Sequence, residues 1–153
     1  MQLSEILDAD LILFPLKAES KEEVISTLID VLYKKGKISD PQLALKAVLD
    51  REKLMSTGVG RGVALPHGKC ANIEDVYVAV GVSPVGIDFE AVDEQPVHVF
   101  VLLVTPENFP SKHLKLLSKF SRMLNSAKCR EEVLDATSPQ EILEVLFKYD
   151  ELV

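Results

Sequence analysis

Two continuous apolar runs, both rich in valine, constrain the fold of this chain more than any other feature. They extend from Val76 to Val82 and from Val97 to Val104. A strand exposed on one face alternates apolar and polar residues, whereas a strand covered on both faces is apolar throughout. These runs therefore predict interior strands of a covered sheet. We expect a single α/β domain, residues 1–153, with a mixed central β-sheet flanked by helices on both faces.

Helix start and stop signals precede these runs. Ser20 and Glu23 form a capping-box pattern ahead of apolar residues at helical spacing, and Lys34–Gly36 is typical of a helix end. The pair Asp40-Pro41 predicts the start of a second helix, because proline is tolerated at the first helical position. We expect this second helix to run to about Met55.

Two more elements are predicted near the ends of the chain. Leu11–Phe14 is a short strand candidate. The segment Ser138–Glu141 is another capping box with proline at the first helical position, and apolar residues follow it at helical spacing. The pattern therefore predicts that a helix ends the chain.

Composition excludes several functions. Hydrophobic residues make up 47% of the 153 residues and charged residues 27%, as in an ordinary soluble globular protein. No apolar run approaches the length of a membrane span, and the N-terminus lacks the basic and apolar regions of a secretion signal. We therefore expect a cytoplasmic protein without a membrane span. The net charge of −7 and the lack of a basic run argue against nucleic acid as a partner.

The two cysteines do not indicate a metal site. Cys70 and Cys129 are far apart in the chain, and in the cytoplasm such a pair is expected to be reduced. The spacing His67-x-x-Cys70 is that of a ligand pair, but a single pair supplies too few ligands for zinc. We expect no metal.

A glycine-rich stretch precedes a histidine. Gly58, Gly60 and Gly62 alternate with other residues, and a short apolar strand candidate then leads to Pro66 and His67. Successive N–H groups in such a stretch can form an anion-binding nest, and a neutral imidazole beside a nest can accept a phosphoryl group. The spacing is neither a dinucleotide-binding fingerprint nor a nucleotide P-loop. By itself it is a weak signal, because most glycine-rich turns bind nothing.

Arg51 lies on the apolar side of the second predicted helix. The residues that share its face at steps of three and four are Ala44, Ala47, Val48 and Met55. Its guanidinium either lays its stem over apolar surface or is held near His67, where its planar donors suit phosphate oxygens. The spacing leaves these two alternatives equal.

Two other histidines differ in their setting. His113 precedes Leu116, Leu117 and Phe120 on one helical face, so it should point inward from the first turns of a helix. It is either a partly buried core residue or part of a site, since helix N-termini favour anions. His98 lies inside the second valine-rich run, where a histidine is most often a satisfied core or edge residue.

The residues around His67 also form a longer composite motif. Its elements are Arg51-Glu52, Ser56-Thr57-Gly58, the alternating glycines and Ala64-Leu65-Pro66-His67, followed by Gly86–Phe89, Val92–Val97 and His113–Leu117. This pattern closely resembles the type-2 enzyme IIA family, the mannitol, fructose and nitrogen-regulatory class, of the bacterial phosphoenolpyruvate-dependent phosphotransferase system. The resemblance extends from about Leu3 to Phe147.

The resemblance implies a phosphoryl carrier. The phosphorylated histidine carrier HPr would donate a phosphoryl group to His67, and Arg51 and His113 would steady the group during transfer. The candidates for the phosphoryl-binding nest are Thr57, Gly58, Gly60 and Gly62. No cofactor, nucleotide or metal is implied, because the donor phosphoryl group already sits on a high-energy nitrogen.

Three functions of the chain stay open. The segment Ile87–Val97 looks closer to the nitrogen-regulatory branch, and we expect a free-standing chain with no fused membrane or enzyme IIB segment, so we expect a regulatory role. The alternative is a sugar-specific component that passes the phosphoryl group to an enzyme IIB for fructose or mannitol uptake. A protein-interaction module whose histidine is no longer phosphorylated is the third possibility, and the intact motif argues against it.

Overall fold

The fold is described from a computed structural model that covers residues 2–108 and 110–153. Short 3₁₀ helices cover Leu3–Glu5 and Ala9–Leu11. The strands are β1 (Ile12–Leu13), β2 (Gly58–Gly60), β3 (Val63–Ala64), β4 (His67–Cys70), β5 (Tyr77–Ile87) and β6 (Val97–Pro106). The helices are α1 (Lys21–Lys34), α2 (Pro41–Leu54), α3 (Pro110–Asn125), α4 (Ala127–Asp135) and α5 (Pro139–Asp150).

The described strands form one mixed sheet built around β6. The strand order is β1-β5-β6-β3-β2, and β4 pairs with β6 farther along the edge that β3 also occupies. Strands β3 and β4 run parallel to β6, whereas β5 runs antiparallel to it. Both predicted valine-rich strands are confirmed, and Val78, Val80 and Val101 have no solvent exposure. Strand β5 is longer than predicted, with a register shift between Val82 and Ile87.

Helices cover both faces of this sheet, as predicted. Helices α1 and α2 pack against each other and contact β5 and β4, respectively. Helices α3, α4 and α5 form a second group, in which α3 contacts β6 and α5 contacts β1. No helix within the described ranges is both long enough and apolar enough to cross a membrane.

The predicted helix starts are confirmed by side-chain caps. The side chains of Ser20, Asp40 and Ser138 each accept a hydrogen bond from the backbone N–H three residues later. These caps satisfy donors that have no partner within the helix. The first predicted strand is shorter than expected, because Leu11 belongs to a 3₁₀ turn that the Asp8 side chain caps.

The alternating glycines form a β-hairpin rather than an open loop. Strands β2 and β3 pair antiparallel, and the turn between them places Arg61 and Gly62 at φ values of 60° and 78°. The hairpin leads through Leu65 and Pro66 directly into β4, so its pairing with β6 sets where His67 begins the next strand.

Helix α2 lies very close to β4. A Cβ atom built on Gly68 would be 2.9 Å from the carbonyl carbon of Ala47 and 2.9 Å from the nitrogen of Val48. Such contacts with backbone atoms leave no room for a side chain, so glycine is required at this crossing. The close approach brings the last turns of α2, which carry Arg51 and Glu52, toward the strand that begins with His67.

Candidate functional site

His67 is the first residue of β4 and is half-buried. Its Nδ1 atom lies 2.8 Å from the backbone carbonyl oxygen of Leu65. A carbonyl oxygen can only accept a hydrogen bond, so Nδ1 carries the proton and Nε2 of the neutral ring carries the lone pair. Burial lowers the pKa of His67, and the nearby positive charge of Arg51 lowers it further. The ring is therefore neutral at physiological pH, with an unprotonated Nε2.

His113 lies beside His67, as the resemblance implied. The two ring centroids are 5.1 Å apart, with an angle of 64° between the ring planes. His113 is only 4% exposed, and its Nδ1 is 2.8 Å from the hydroxyl oxygen of Thr105. Burial and the neighbouring charges of His67 and Lys69 lower the pKa of His113 to about 4. Both histidines of the pair are thus neutral near neutral pH.

Arg51 occupies the last turns of α2 and is half-buried. Its Nη1 donates a hydrogen bond of 3.0 Å to the backbone carbonyl oxygen of Met55, which caps the C-terminal end of its own helix. The prediction that Met55 shares the apolar face of α2 with Arg51 is wrong. The helix ends at Leu54, Met55 adopts an extended conformation, and its side chain is 67% exposed. The role of Arg51 in phosphoryl transfer stays a prediction.

Glu52 is a site-forming residue that the sequence analysis missed. Its carboxylate is buried and accepts hydrogen bonds from the Thr57 backbone N–H at 2.8 Å and the Thr57 hydroxyl at 2.6 Å. Lys21 from α1 forms an ion pair with the same carboxylate at 3.2 Å. Glu52 therefore ties α1, α2 and the start of the hairpin together. A glutamate in a helix usually faces solvent, so its position beside Arg51 in the motif was the only signal.

Two of the four predicted nest residues already use their backbone N–H groups in hydrogen bonds within the protein. The N–H of Thr57 donates to Glu52, and the N–H of Gly58 donates to the Ser56 hydroxyl at 3.1 Å. A phosphoryl-binding nest at these two residues would require those bonds to open. Gly60 and Gly62 flank the hairpin turn, and their role as phosphoryl-binding donors stays a prediction.

The remaining histidine and the cysteines do not join the His67 pair. His98 donates from Nδ1 to the carbonyl oxygen of Ser83 at 2.9 Å, which is the satisfied setting expected for it. Cys70 and Cys129 are buried free thiols, and burial raises the pKa of each to about 11. Within residues 2–108 and 110–153, no three side chains of the metal-binding types cluster together.

One half-buried and one buried histidine, both neutral, thus lie in edge-to-face contact where β4 begins. The chain matches the family described as phosphoenolpyruvate-dependent sugar phosphotransferase system, EIIA 2, over residues 5–149. It therefore belongs to the type-2 enzyme IIA family of this system, whose members are phosphoryl carriers.

Two relatives in the family carry names of the sugar-specific kind that the sequence analysis weighed. The chain is 35% identical over 144 residues to the fructose-specific EIIA component of Haloferax volcanii, covering 94% of each protein. It is also 35% identical over 150 residues to the fructose-specific EIIABC component of Bacillus subtilis (strain 168). That alignment covers 98% of this chain but only 24% of the Bacillus protein.

Solved structures agree with this assignment. The nitrogen regulatory protein IIA-Ntr from Neisseria meningitidis superposes with a TM-score of 0.87 at 30% identity, covering 94% of this chain and 98% of that one. A complex of enzyme IIA mannitol with phosphorylated enzyme IIB mannitol from Escherichia coli gives a TM-score of 0.78 at 27% identity, covering 92% and 96% of the two chains. The predicted family and fold are confirmed.

The buried carboxylate of Glu52 should be needed for stability. In Glu52→Gln an amide N–H₂ faces the donors of Thr57, and Lys21 loses its charged partner, so we expect a loss of about 1.5–3 kcal/mol in the free energy of unfolding. Urea unfolding measures this loss. Asp50→Asn is the matched control, because it makes the same change in the same helix at a carboxylate whose ion pair with Lys46 is exposed, and it should have little effect. Equal effects of the two variants would contradict the structural role of Glu52.

The pH dependence of stability should report the neutral state of His113. With its pKa lowered to about 4 in the folded protein, this group stays neutral while the unfolded chain, with a histidine pKa of about 6.5, takes up a proton. The unfolded state then binds more protons, so the fold loses stability as pH falls from about 6.5 toward about 4. Between about pH 7.5 and about pH 5 the wild type should lose about 2 kcal/mol more than His113→Gln. Parallel stability curves for the two proteins would show that His113 is not held neutral.

Proposed function

We propose that this protein accepts a phosphoryl group from phosphorylated HPr on Nε2 of His67. The observation that carries the proposal is the hydrogen bond from His67 Nδ1 to the Leu65 carbonyl oxygen. Because this bond keeps the proton on Nδ1, the lone pair lies on Nε2. That nitrogen makes no hydrogen bond to any residue in the described ranges, so it is free to attack phosphorus.

The transfer balances without a further reactant. The Nε2 lone pair forms the new bond to phosphorus, and the bond between phosphorus and the donor histidine of HPr breaks, returning its electron pair to that nitrogen. The Nδ1–H of His67 stays bonded to Leu65 throughout. Bond formation and bond cleavage both involve imidazole nitrogen, so the step is close to an exchange between equivalent partners.

Neighbouring groups would stabilise the charge on the transferred phosphoryl oxygens. Arg51 uses one N–H for the Met55 carbonyl oxygen, and its guanidinium has further donors that suit phosphate geometry. His113 would supply a neutral donor beside the acceptor nitrogen. The N–H groups of Gly60 and Gly62 are the remaining nest candidates. Preorganised donors of this kind lower the barrier because they need no rearrangement when charge develops.

The surroundings of His67 suit a transient protein partner. Leu54, Met55, Val59 and Leu114, which we call the docking face, are 56–81% exposed. Leu54 ends α2 and Met55 directly follows it, Val59 lies in the hairpin, and Leu114 is next to His113 in α3, so the docking face belongs to the segments that build the site. Exposed apolar side chains grouped around a functional residue are typical of binding surfaces. We propose that HPr binds this face in the cytoplasm.

The acceptor after His67 decides between two roles. We keep the predicted regulatory role, in which the phosphorylation state controls other proteins, and the likeness to a nitrogen regulatory structure supports it. The fructose-specific names of two relatives support the alternative, transfer to an enzyme IIB. Mixing the phosphorylated protein with purified fructose or mannitol enzyme IIB separates the two roles, because rapid loss of the phosphoryl group to IIB favours sugar transport.

Phosphorylation should occur on His67 alone. Incubation with phosphoenolpyruvate, enzyme I and HPr, followed by mass spectrometry at alkaline pH, should find one acid-labile phosphoryl group, and NMR should place it on Nε2. His67→Ala should remain unlabelled. The control His98→Ala removes a histidine outside the pair and should be labelled at the wild-type rate. Label in His67→Ala, or on His113 or His98 in the wild type, would refute the assignment.

Arg51 should affect transfer more than folding. Lysine keeps the charge but loses the planar fork, and a charge-assisted hydrogen bond is worth about 1.5–3 kcal/mol. Arg51→Lys should therefore slow phosphorylation by HPr about tenfold or more. Arg130→Lys is the matched control, because Arg130 also binds carbonyl oxygens at a helix end, those of Leu124 and Asn125. If both variants lose similar stability and neither is slowed, Arg51 serves only as a helix cap.

A further inference from the structure

Thr105 is a polar residue that is fully buried. It lies near the C-terminal end of β6, where it pairs with Lys69 of β4, and has no solvent exposure. Its hydroxyl oxygen is 2.8 Å from Nδ1 of His113 and 3.5 Å from the carbonyl oxygen of Gly68. A buried hydroxyl needs a partner, and these two are its hydrogen-bond partners among the described residues.

The single proton of this hydroxyl allows two arrangements. In the first, the hydroxyl donates to Gly68 and accepts from Nδ1–H of His113, which leaves Nε2 of His113 as an acceptor. In the second, the hydroxyl donates to Nδ1, and the proton of the neutral ring sits on Nε2. Only the second arrangement lets His113 donate a hydrogen bond from Nε2.

The distances favour the second arrangement. An O–H donor makes its bonds at about 2.5–3.0 Å. The contact with His113 at 2.8 Å is within this range, whereas the contact with Gly68 at 3.5 Å is too long to be a good bond. The 2.8 Å bond exists in both arrangements, but donation to Gly68 would leave the buried hydroxyl proton with only the 3.5 Å contact, whereas donation to Nδ1 satisfies it.

The other nitrogen of His113 is open to a ligand. Nε2 makes no hydrogen bond to any residue in the described part of the chain, yet within that part every buried side-chain nitrogen or oxygen has a partner. Nε2 must therefore reach the surface of the site, in a ring whose centroid is 5.1 Å from that of His67. Protonation cannot supply the missing donor near neutral pH, because burial and the charges of His67 and Lys69 lower the pKa of His113 to about 4.

We propose that Thr105 is a positioning residue that holds His113 in its Nε2–H tautomer, so that a neutral imidazole presents a hydrogen-bond donor to a phosphoryl group on His67. This inference rests on the proposed function for the role of the donor, but the tautomer itself is a property of the unphosphorylated protein. The Thr105 hydroxyl makes its hydrogen bonds to His113 and Gly68 among the described residues and none to His67, so in this proposal it acts through His113.

The first measurement is the tautomer of His113 in the free protein. Long-range ¹H–¹⁵N NMR on histidine-labelled wild type should show Nε2 of His113 protonated and Nδ1 unprotonated. Thr105→Val, which replaces the hydroxyl by a methyl group of similar shape, should lose this preference, and Thr105→Ser should keep it. A wild type in which Nε2–H is not the major form overturns the proposal, as does an unchanged tautomer in Thr105→Val.

The second measurement is the rate of phosphorylation by HPr. Thr105→Val should be slowed about tenfold, which is the effect of losing one hydrogen bond in the transition state, and Thr105→Ser should recover most of the rate. In a His113→Ala background, Thr105→Val should cause no further slowing, because residues that act through one group are not additive. Independent, additive slowing would overturn the proposal.

A control separates loss of the tautomer from loss of stability. Ser83→Ala removes another buried hydroxyl, on β5, that accepts a hydrogen bond from the Gly86 N–H. It should reduce stability without changing the His113 tautomer or the rate. If wild-type His67 cannot be phosphorylated at all, the proposed function fails, while the tautomer measurement still tests the action of Thr105 on His113.

Discussion

The distance between α2 and β4 controls the geometry of the site. Gly68 allows the strand to meet the backbone of α2 at Ala47 and Val48 with no side chain between them. His67 directly precedes this contact, and Arg51 and Glu52 follow it by one helical turn. A larger residue at position 68 would push the helix away and separate the guanidinium from the histidine. The glycine that follows the histidine is therefore part of the site, although it contributes no functional group.

A second constraint comes from β6, which contacts the elements that carry both histidines. Strands β3 and β4 pair one after the other with the same edge of β6, so the connection Leu65-Pro66 must link these two parallel pairings. That geometry leaves the Leu65 carbonyl oxygen within reach of the His67 ring. The same strand carries Thr105, which contacts His113 from α3. One strand thus positions the hydrogen-bond partners of both histidines.

These partners give the two imidazoles opposite hydrogen-bonding states. A backbone carbonyl oxygen binds Nδ1 of His67 and leaves a lone pair on Nε2, and in our proposal a hydroxyl donates to Nδ1 of His113 and leaves a proton on Nε2. Burial keeps both rings neutral by lowering the pKa of each. The two neutral rings can then lie side by side without the repulsion that two imidazolium ions would suffer.

The sequence by itself determined the parts of the protein that depend on short-range rules. A helix cap such as Ser20 binds a backbone N–H only three residues away, so the helix starts were predictable. A continuous apolar run indicates a strand that is buried on both faces, so the two central strands were predictable as well. The composite motif around His67 also identified the family. Only the tertiary structure decided which groups the residues of the motif contact. The burial of Glu52, the occupied N–H groups of Thr57 and Gly58, and the contact of Thr105 with His113 depend on partners that folding brings together. The protonation state and the hydrogen bonds of a side chain depend on its neighbours in three dimensions. Residue type and spacing along the chain do not specify those neighbours.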